Sequence, residues 1–205
     1  MSSDYILTVF ITLITVIDPL GLIPVYLPIA GRFSVDKQKK IVWTSCFIAL
    51  LVSTCFLFAG KILFHYLEVQ LNSLFIVGGI LLFLVGLDMI YARPRRTKSS
   101  PEEREEAMNL SDVSVFPLAI PMLSGPGTIA TLIMFSSRYN TIENYLIVFG
   151  ALTLSLVISA FAMIFSAKLL KIFGQIGLNV LDRVMGIILC SLAVQFIVNA
   201  IKATF

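Results

Sequence analysis

Charge is scarce in this chain. Of 205 residues only 13% are Asp, Glu, Lys or Arg, while 58% are hydrophobic; ordinary soluble domains carry roughly 25% charged residues. That shortage excludes a soluble globular fold, which could not cover so much apolar surface. Histidine is nearly missing. The single His65 stands beside a short loop, and neither a His-Glu-x-x-His pattern nor a phosphate-cradling Gly-Lys-Ser occurs. Enzymatic chemistry of those kinds therefore has no carrier, and an enzyme is not expected. The three cysteines, Cys46, Cys55 and Cys190, lie inside apolar stretches without metal-ligand spacing, so they read as packing residues and imply neither a disulfide framework nor a metal. The net charge of +3 comes from short loops, which bears on membrane orientation and argues against nucleic acid as a partner. No Lys or Arg precedes the first apolar stretch, which is therefore expected to be a span and not a cleaved signal.

What is abundant is apolar sequence in runs of about 20 residues, the length that crosses a hydrocarbon core of roughly 30 Å. Reading the runs against their polar breaks predicts six spans, near 6–30, 41–64, 72–91, 113–136, 143–167 and 181–201. The basic residues alternate between the loops. Arg32, Lys37, Lys39, Lys40, Arg93, Arg95, Arg96, Lys98, Arg104, Lys168, Lys171 and Arg183 fall on one side, against Lys61, Arg138 and Lys202 on the other. The positive-inside rule puts the first group in the cytoplasm and both termini outside. The longest loop, 92–112, reads as a charged cytoplasmic linker. Within it Ser100, Pro101 and Glu103 fit the cap, first-turn proline and capping-box acid of a short helix.

The chain also repeats itself. At an offset of 107 residues Leu71, Asn72, Leu74, Val77, Gly79, Ile80, Leu82 and Ile90 meet Leu178, Asn179, Leu181, Val184, Gly186, Ile187, Leu189 and Ile197. The same offset pairs Phe58 with Phe165, Lys61 with Lys168 and Pro19 with Pro126. Each copy holds three spans, an odd number, so the second must enter the bilayer in the opposite sense. The predicted fold class is an all-α membrane protein of six transmembrane helices, built as two inverted three-helix repeats over 1–91 and 113–205.

Spans one and four are expected to be broken at mid-membrane. The first carries Asp18, Pro19, Leu20, Gly21, Pro24 and Pro28, with an acid and a lost backbone donor near its centre, where both are unfavourable. Asp before Pro is also an N-cap before a first-turn proline, so the span is expected to stop near Ile17 and restart at Pro19. The fourth carries Pro117, Pro121, Ser124, Gly125, Pro126, Gly127 and Thr128, with Ser124 or Gly125 available as the cap. A restarting half-helix offers unpaired N–H groups and a positive dipole end to a carboxylate, and free carbonyls upstream can hold a cation or an ammonium group. Pro24, Pro28, Pro117 and Pro121 read better as packing kinks. Asp18 leads as a site residue because intramembrane acids generally face water, an ion or a ligand. Asp88 and its repeat mate Gln195 could line a path, or could hydrogen-bond between helices. Thr15, Ser53, Ser159 and Asn199 read as packing residues.

The motifs Asp18-Pro19-Leu20-Gly21-Leu22-Ile23-Pro24, Pro117-Leu118-Ala119-Ile120-Pro121 and Ser124-Gly125-Pro126-Gly127, with Gly78-Gly79-Ile80 in the third span, resemble the MarC family of bacterial inner-membrane proteins over nearly the whole chain. The resemblance implies a multi-pass inner-membrane location, and some members look like transporters of small neutral amino acids such as glycine or alanine. The expectation is a secondary carrier whose solute, with H+ or Na+ as a coupling ion, binds between Asp18-Pro19-Gly21 and Ser124–Thr128 by alternating access. The alternative is a membrane scaffold or regulator with no transport activity. An intramembrane hydrolase pairing Asp18 with Asp88 is a third reading, but nothing in the pattern brings the two acids together. No cofactor is implied, and a monomer or a homo-oligomer fits equally.

Overall fold

In a computed structural model that describes residues 3–30, 33–66, 70–91, 113–139 and 141–204, the chain is helical with no strand among the described residues. The linker predicted over 92–112 and its short helix lie outside them. The helical segments are α1 (Ser3–Ile17), α2 (Ile23–Ala30), α3 (Val35–Tyr66), α4 (Leu71–Ile90), α5 (Ser114–Leu123), α6 (Pro126–Arg138), α7 (Ile142–Ile164) and α8 (Ser166–Thr204).

By length and composition α3, α7 and α8 can each cross a bilayer, and α5 with α6, bent by 52°, makes a fourth crossing if the pair counts as one. The first predicted span is divided into α1 and α2, of 15 and 8 residues. At 1.5 Å per residue α1 reaches about 22 Å, short of a core of roughly 30 Å. The last helix starts earlier than expected, at Ser166 instead of 181. The basic stretch around Lys168 and Lys171 consists of good helix formers, and one interruption, at Gly174 with φ +64°, divides it from the rest of α8. Glycine adopts that left-handed conformation without a Cβ clash.

The most extensive helix pair is α4 with α8, and small residues let it close. A Cβ on Gly86 would lie 2.9 Å from the Gly186 carbonyl oxygen, and one on Gly186 would lie 2.8 Å from that of Gly86. Gly79 faces Ala193 and Ile197 in the same way, and the Asn72 amide donates to Thr204 Oγ1 at 3.1 Å. Rising numbers on α4 meet falling numbers on α8, so the pair is antiparallel. Backbones this close gain dispersion contacts that lipid cannot supply. Helix α3 runs antiparallel to α7, with Trp43 against Phe161, Cys46 Sγ 3.6 Å from the Leu156 carbonyl, and Phe58 stacked on Tyr145. Leu13, Ile17, Leu22, Leu118, Leu123, Leu132 and Phe135 are fully buried, whereas Phe47, Leu146 and Ile176 are exposed, as side chains facing lipid should be.

Two turns are tied by amides that reach back five residues. Gln38 Nε2 donates to the Phe33 carbonyl at 2.9 Å, and Asn144 Nδ2 donates to the Tyr139 carbonyl at 3.0 Å. Asn144 is fully buried and also serves the Phe135 carbonyl, while its Oδ1 accepts from the Tyr5 hydroxyl at 2.7 Å. It thus joins the start of α1 to the end of α6. Asn144→Ala leaves these groups unmatched, and at about 1–3 kcal/mol for a buried unsatisfied group the expected loss is about 3 kcal/mol. Tyr5→Phe removes one partner and should cost under about 1 kcal/mol. Thermal unfolding in detergent checks the order: equal midpoints for the two variants would refute the hub role.

Candidate site at the two helix breaks

The first break is built on Asp18. Its backbone N–H ends α1 by donating to the Ile14 carbonyl at 2.9 Å, and its φ of 52° then turns the chain into the left-handed region, which Asp enters more readily than most residues. Its carbonyl accepts from Leu22 N at 3.2 Å, and its carboxylate Oδ1 accepts from Gly21 N at 3.0 Å. Pro19 carries no N–H to continue the helix. The break is wider than the spacing suggests, because α2 begins at Ile23 and not at Pro19. With φ positive at Asp18, residues 19–22 must form a turn, and the Asp18 carboxylate closes that turn instead of capping a helix that starts at once.

Gly21 has no room for a side chain. A Cβ there would collide with the Asp18 carboxylate and lie 3.2 Å from Asp182 Oδ1. Two acids, one ending α1 and one from α8, therefore converge on a single glycine. Asp18 is 3% exposed and Asp182 is half-buried. Nothing in the sequence singles out Asp182: it stands beside Arg183 at the edge of a predicted span, where an acid looks interfacial, and its repeat mate is the apolar Phe75. Gly21→Ala is expected to displace the Asp18 carboxylate and destabilise the fold by about 1–3 kcal/mol. An unchanged unfolding midpoint would show that the turn has slack.

The second break is irregular. Phe116 and Ile120 are extended, each directly before a proline, the residue type that disfavours the α region in its predecessor. Ser124 donates to the Ala119 carbonyl with both its N–H, at 3.0 Å, and its hydroxyl, at 2.8 Å. Thr128 Oγ1 donates to the Leu123 carbonyl at 3.1 Å. Two of the carbonyls upstream of α6 are thus occupied by neighbouring hydroxyls, and Ser124 closes the end of α5 as a donor instead of capping the start of α6. Gly125 is the N-cap residue, without a side-chain cap, and Pro126 occupies the first turn. The first-turn donors of Gly127 and Thr128 have no partner within an α-helix.

The two breaks adjoin. A Cβ on Gly127 would lie 3.2 Å from Val16 Cγ1 and 3.7 Å from Val85 Cγ2, so the start of α6 packs on α1 two residues before Asp18 and also on α4. Asp88, 5% exposed, is one turn beyond Val85 on the same face of α4. Gln195 is exposed and donates to Asn199 Oδ1 at 2.8 Å. The pairing of Gly86 with Gly186 and of Gly79 with Ala193 puts Asp88 and Gln195 toward opposite ends of the α4–α8 seam.

Ser53 on α3 is fully buried, and its hydroxyl has no hydrogen-bond partner among the described residues. A Cβ on Gly60, seven residues on and on the same face, would meet Ile133 of α6. Both α5 and α6 pack on α3, and only six residues of α3 follow Gly60, so α5 must lie beside its earlier part. The helices then run parallel, and counting back at about 1.5 Å per residue sets Ser53 level with Gly125. An orphan buried hydroxyl is unfavourable, and by this register it lies at the depth of the second break.

Comparison with known proteins adds a family. Residues 3–205 match the MarC family integral membrane proteins. A UPF0056 membrane protein of Buchnera aphidicola subsp. Baizongia pistaciae is 36% identical, covering 98% of each chain. One from Pyrococcus abyssi is 32% identical over 96% of this chain and 94% of its own length. UPF0056 membrane protein YvbG of Bacillus subtilis is 29% identical over 100% of this chain and 98% of its own. The relatives thus include both bacterial and archaeal proteins. No solved structure matches the chain.

Proposed function

From the premise that this chain belongs to the MarC family of integral membrane proteins, we propose that it is a secondary transporter of a small neutral solute such as an amino acid. The observation that carries this reading is the convergence of the Asp18 and Asp182 carboxylates on Gly21, in a gap between half-helices and beside the start of α6. A zwitterion suits such a place. Its carboxylate would sit on the Gly127 and Thr128 N–H groups, favoured by the helix dipole, with the Ser53 hydroxyl as a further donor. Its ammonium group would face Asp18. Two carboxylates converging on one glycine offer oxygens to a cation, so Asp18 with Asp182 is the proposed place for H+ or Na+ coupling.

We also propose that the fold is six spans in two inverted repeats. Gly79 contacts Ala193 and Gly86 contacts Gly186, and at the offset of 107 Gly186 is the mate of Gly79 while Ala193 is the mate of Gly86. Crossed pairing of this kind is what a two-fold axis generates. Cys190 reaches the carbonyl of its own mate, Phe83, 107 residues away, at 3.6 Å. Rocking of one repeat against the other about this seam would alternate access. The basic-residue asymmetry supports termini on the outer side and, in a bacterium, insertion in the inner membrane.

The test is uptake of labelled glycine and alanine into liposomes holding the purified protein, under an imposed proton or sodium gradient. Accumulation driven by one gradient supports the carrier and identifies its ion. No flux of either solute from folded, inserted protein under either gradient would leave the scaffold reading ahead for these substrates.

A further inference from the structure

The end of the molecule with few basic residues holds a pocket of about 170 Å³ between α4, α6 and α8, lined by Arg138, Asn72, Asn199, Phe75 and Phe196 among others. It lies outside the site at the helix breaks: Arg138 ends α6, a full helix away from Pro126. The Arg138 guanidinium is held, with its carbon 5.5 Å from the centre of the Tyr5 ring and 5.7 Å from that of Tyr139. Cation–π contact with these rings holds the guanidinium carbon, and the planar group carries N–H edges whose geometry suits paired hydrogen bonds. Asn199 is oriented too, since its Oδ1 accepts from Gln195 Nε2 at 2.8 Å, which leaves the Asn199 NH2 group as a donor. Asn72 spends one donor on Thr204 Oγ1 and keeps another. Phe75 is half-buried and Phe196 is 4% exposed, giving the pocket an apolar side. Among the described residues none that lines the pocket is acidic.

We propose that this pocket binds the anionic group of a small ligand, a carboxylate or a phosphate, with Arg138 as its charge partner and the Asn72 and Asn199 amides as flanking donors. Two oxygens of a carboxylate or a phosphate match a guanidinium edge in geometry as well as charge, and Phe75 and Phe196 accommodate a short apolar remainder. The shared chemistry admits two sources, a free solute or the headgroup of an anionic lipid. Binding here requires no transport, so failure of the carrier reading leaves the site standing.

The test uses the full chain in detergent, with labelled alanine and inorganic phosphate followed by equilibrium dialysis and phosphatidylglycerol adducts followed by native mass spectrometry. Arg138→Gln should weaken binding of at least one probe by about tenfold or more, and Arg138→Lys, which keeps the charge but loses the fork, should fall between. Asn199→Leu reads the same pocket without touching the tyrosine rings, so it decides the matter if Arg138→Gln fails to fold. Lys202→Gln, which alters a basic residue outside the lining, is the control and should change nothing. Loss of alanine or phosphate binding assigns the pocket to a free solute, and loss confined to phosphatidylglycerol assigns it to lipid. Wild-type protein that binds none of the probes, or binding of every probe it does take unchanged in both Arg138→Gln and Asn199→Leu, overturns the proposal.

Discussion

Asp18→Asn is expected to lower gradient-driven flux of glycine or alanine into liposomes by about 100-fold while the protein still folds and inserts. The substitution separates the two tasks of this residue. Asparagine tolerates the left-handed conformation nearly as well as aspartate and keeps a side-chain oxygen that can accept from Gly21 N, a bond of 3.0 Å in the native turn. What it loses is one carboxylate oxygen and the negative charge that oxygen can carry. A hydrogen bond to a charged group contributes about 1.5–3 kcal/mol, and every 1.4 kcal/mol is about tenfold in affinity, so loss of ammonium binding together with ion coupling accounts for a factor of that size. Asp18→Ala is a poorer test, since it also opens the turn. If Asp18→Asn carries solute at the native rate, Asp18 has no part in the mechanism. Asp182→Asn should act in the same direction, since its carboxylate is the other one that reaches Gly21.

Gly86→Val is expected to prevent accumulation of folded protein. A Cβ at this position would meet Cys190 Sγ at 2.6 Å, the Gly186 carbonyl oxygen at 2.9 Å and Cys190 N at 3.1 Å. Two of these atoms are backbone and cannot turn aside, so α4 and α8 must separate along the most extensive contact of the bundle. Overpacking commonly costs about 1–3 kcal/mol, and prising backbones apart belongs at or above the top of that range. Gly150→Ala is the matched control. A Cβ there meets nothing within 4 Å, and alanine in a helix interior is favoured over glycine by about 0.5–1 kcal/mol. Yield of monodisperse protein and its unfolding midpoint measure both. A Gly86→Val protein as abundant and as stable as the native one would mean that the seam is looser than its geometry.

Some of this was legible from residue types. The apolar runs require a bilayer, and in a bilayer backbone groups that cannot reach water must bond within their own segment, so helices follow. Asp18-Pro19 and Gly125-Pro126 mark where those helices stop, because proline removes a donor and clashes with the preceding turn. The width of the first break was not legible, since it depends on the φ of Asp18. Nor was the continuation of helix through Lys168 and Lys171, because charge near a membrane surface signals an interface without saying whether the backbone there is helical.

The sequence by itself thus determined the solvent, the helical class and the two places where the helices break, all of which follow from transfer free energy and from backbone donors along the chain. Only the tertiary structure decided that Asp182 and Asp18 both reach Gly21, that the Ser53 hydroxyl is left without a partner among the described residues, and that Arg138 is held over a pocket with Asn72 and Asn199. These are contacts between helices far apart in the chain, set by how closely small residues such as Gly86 and Gly186 let the helices approach, and no spacing along one helix encodes the distance to another.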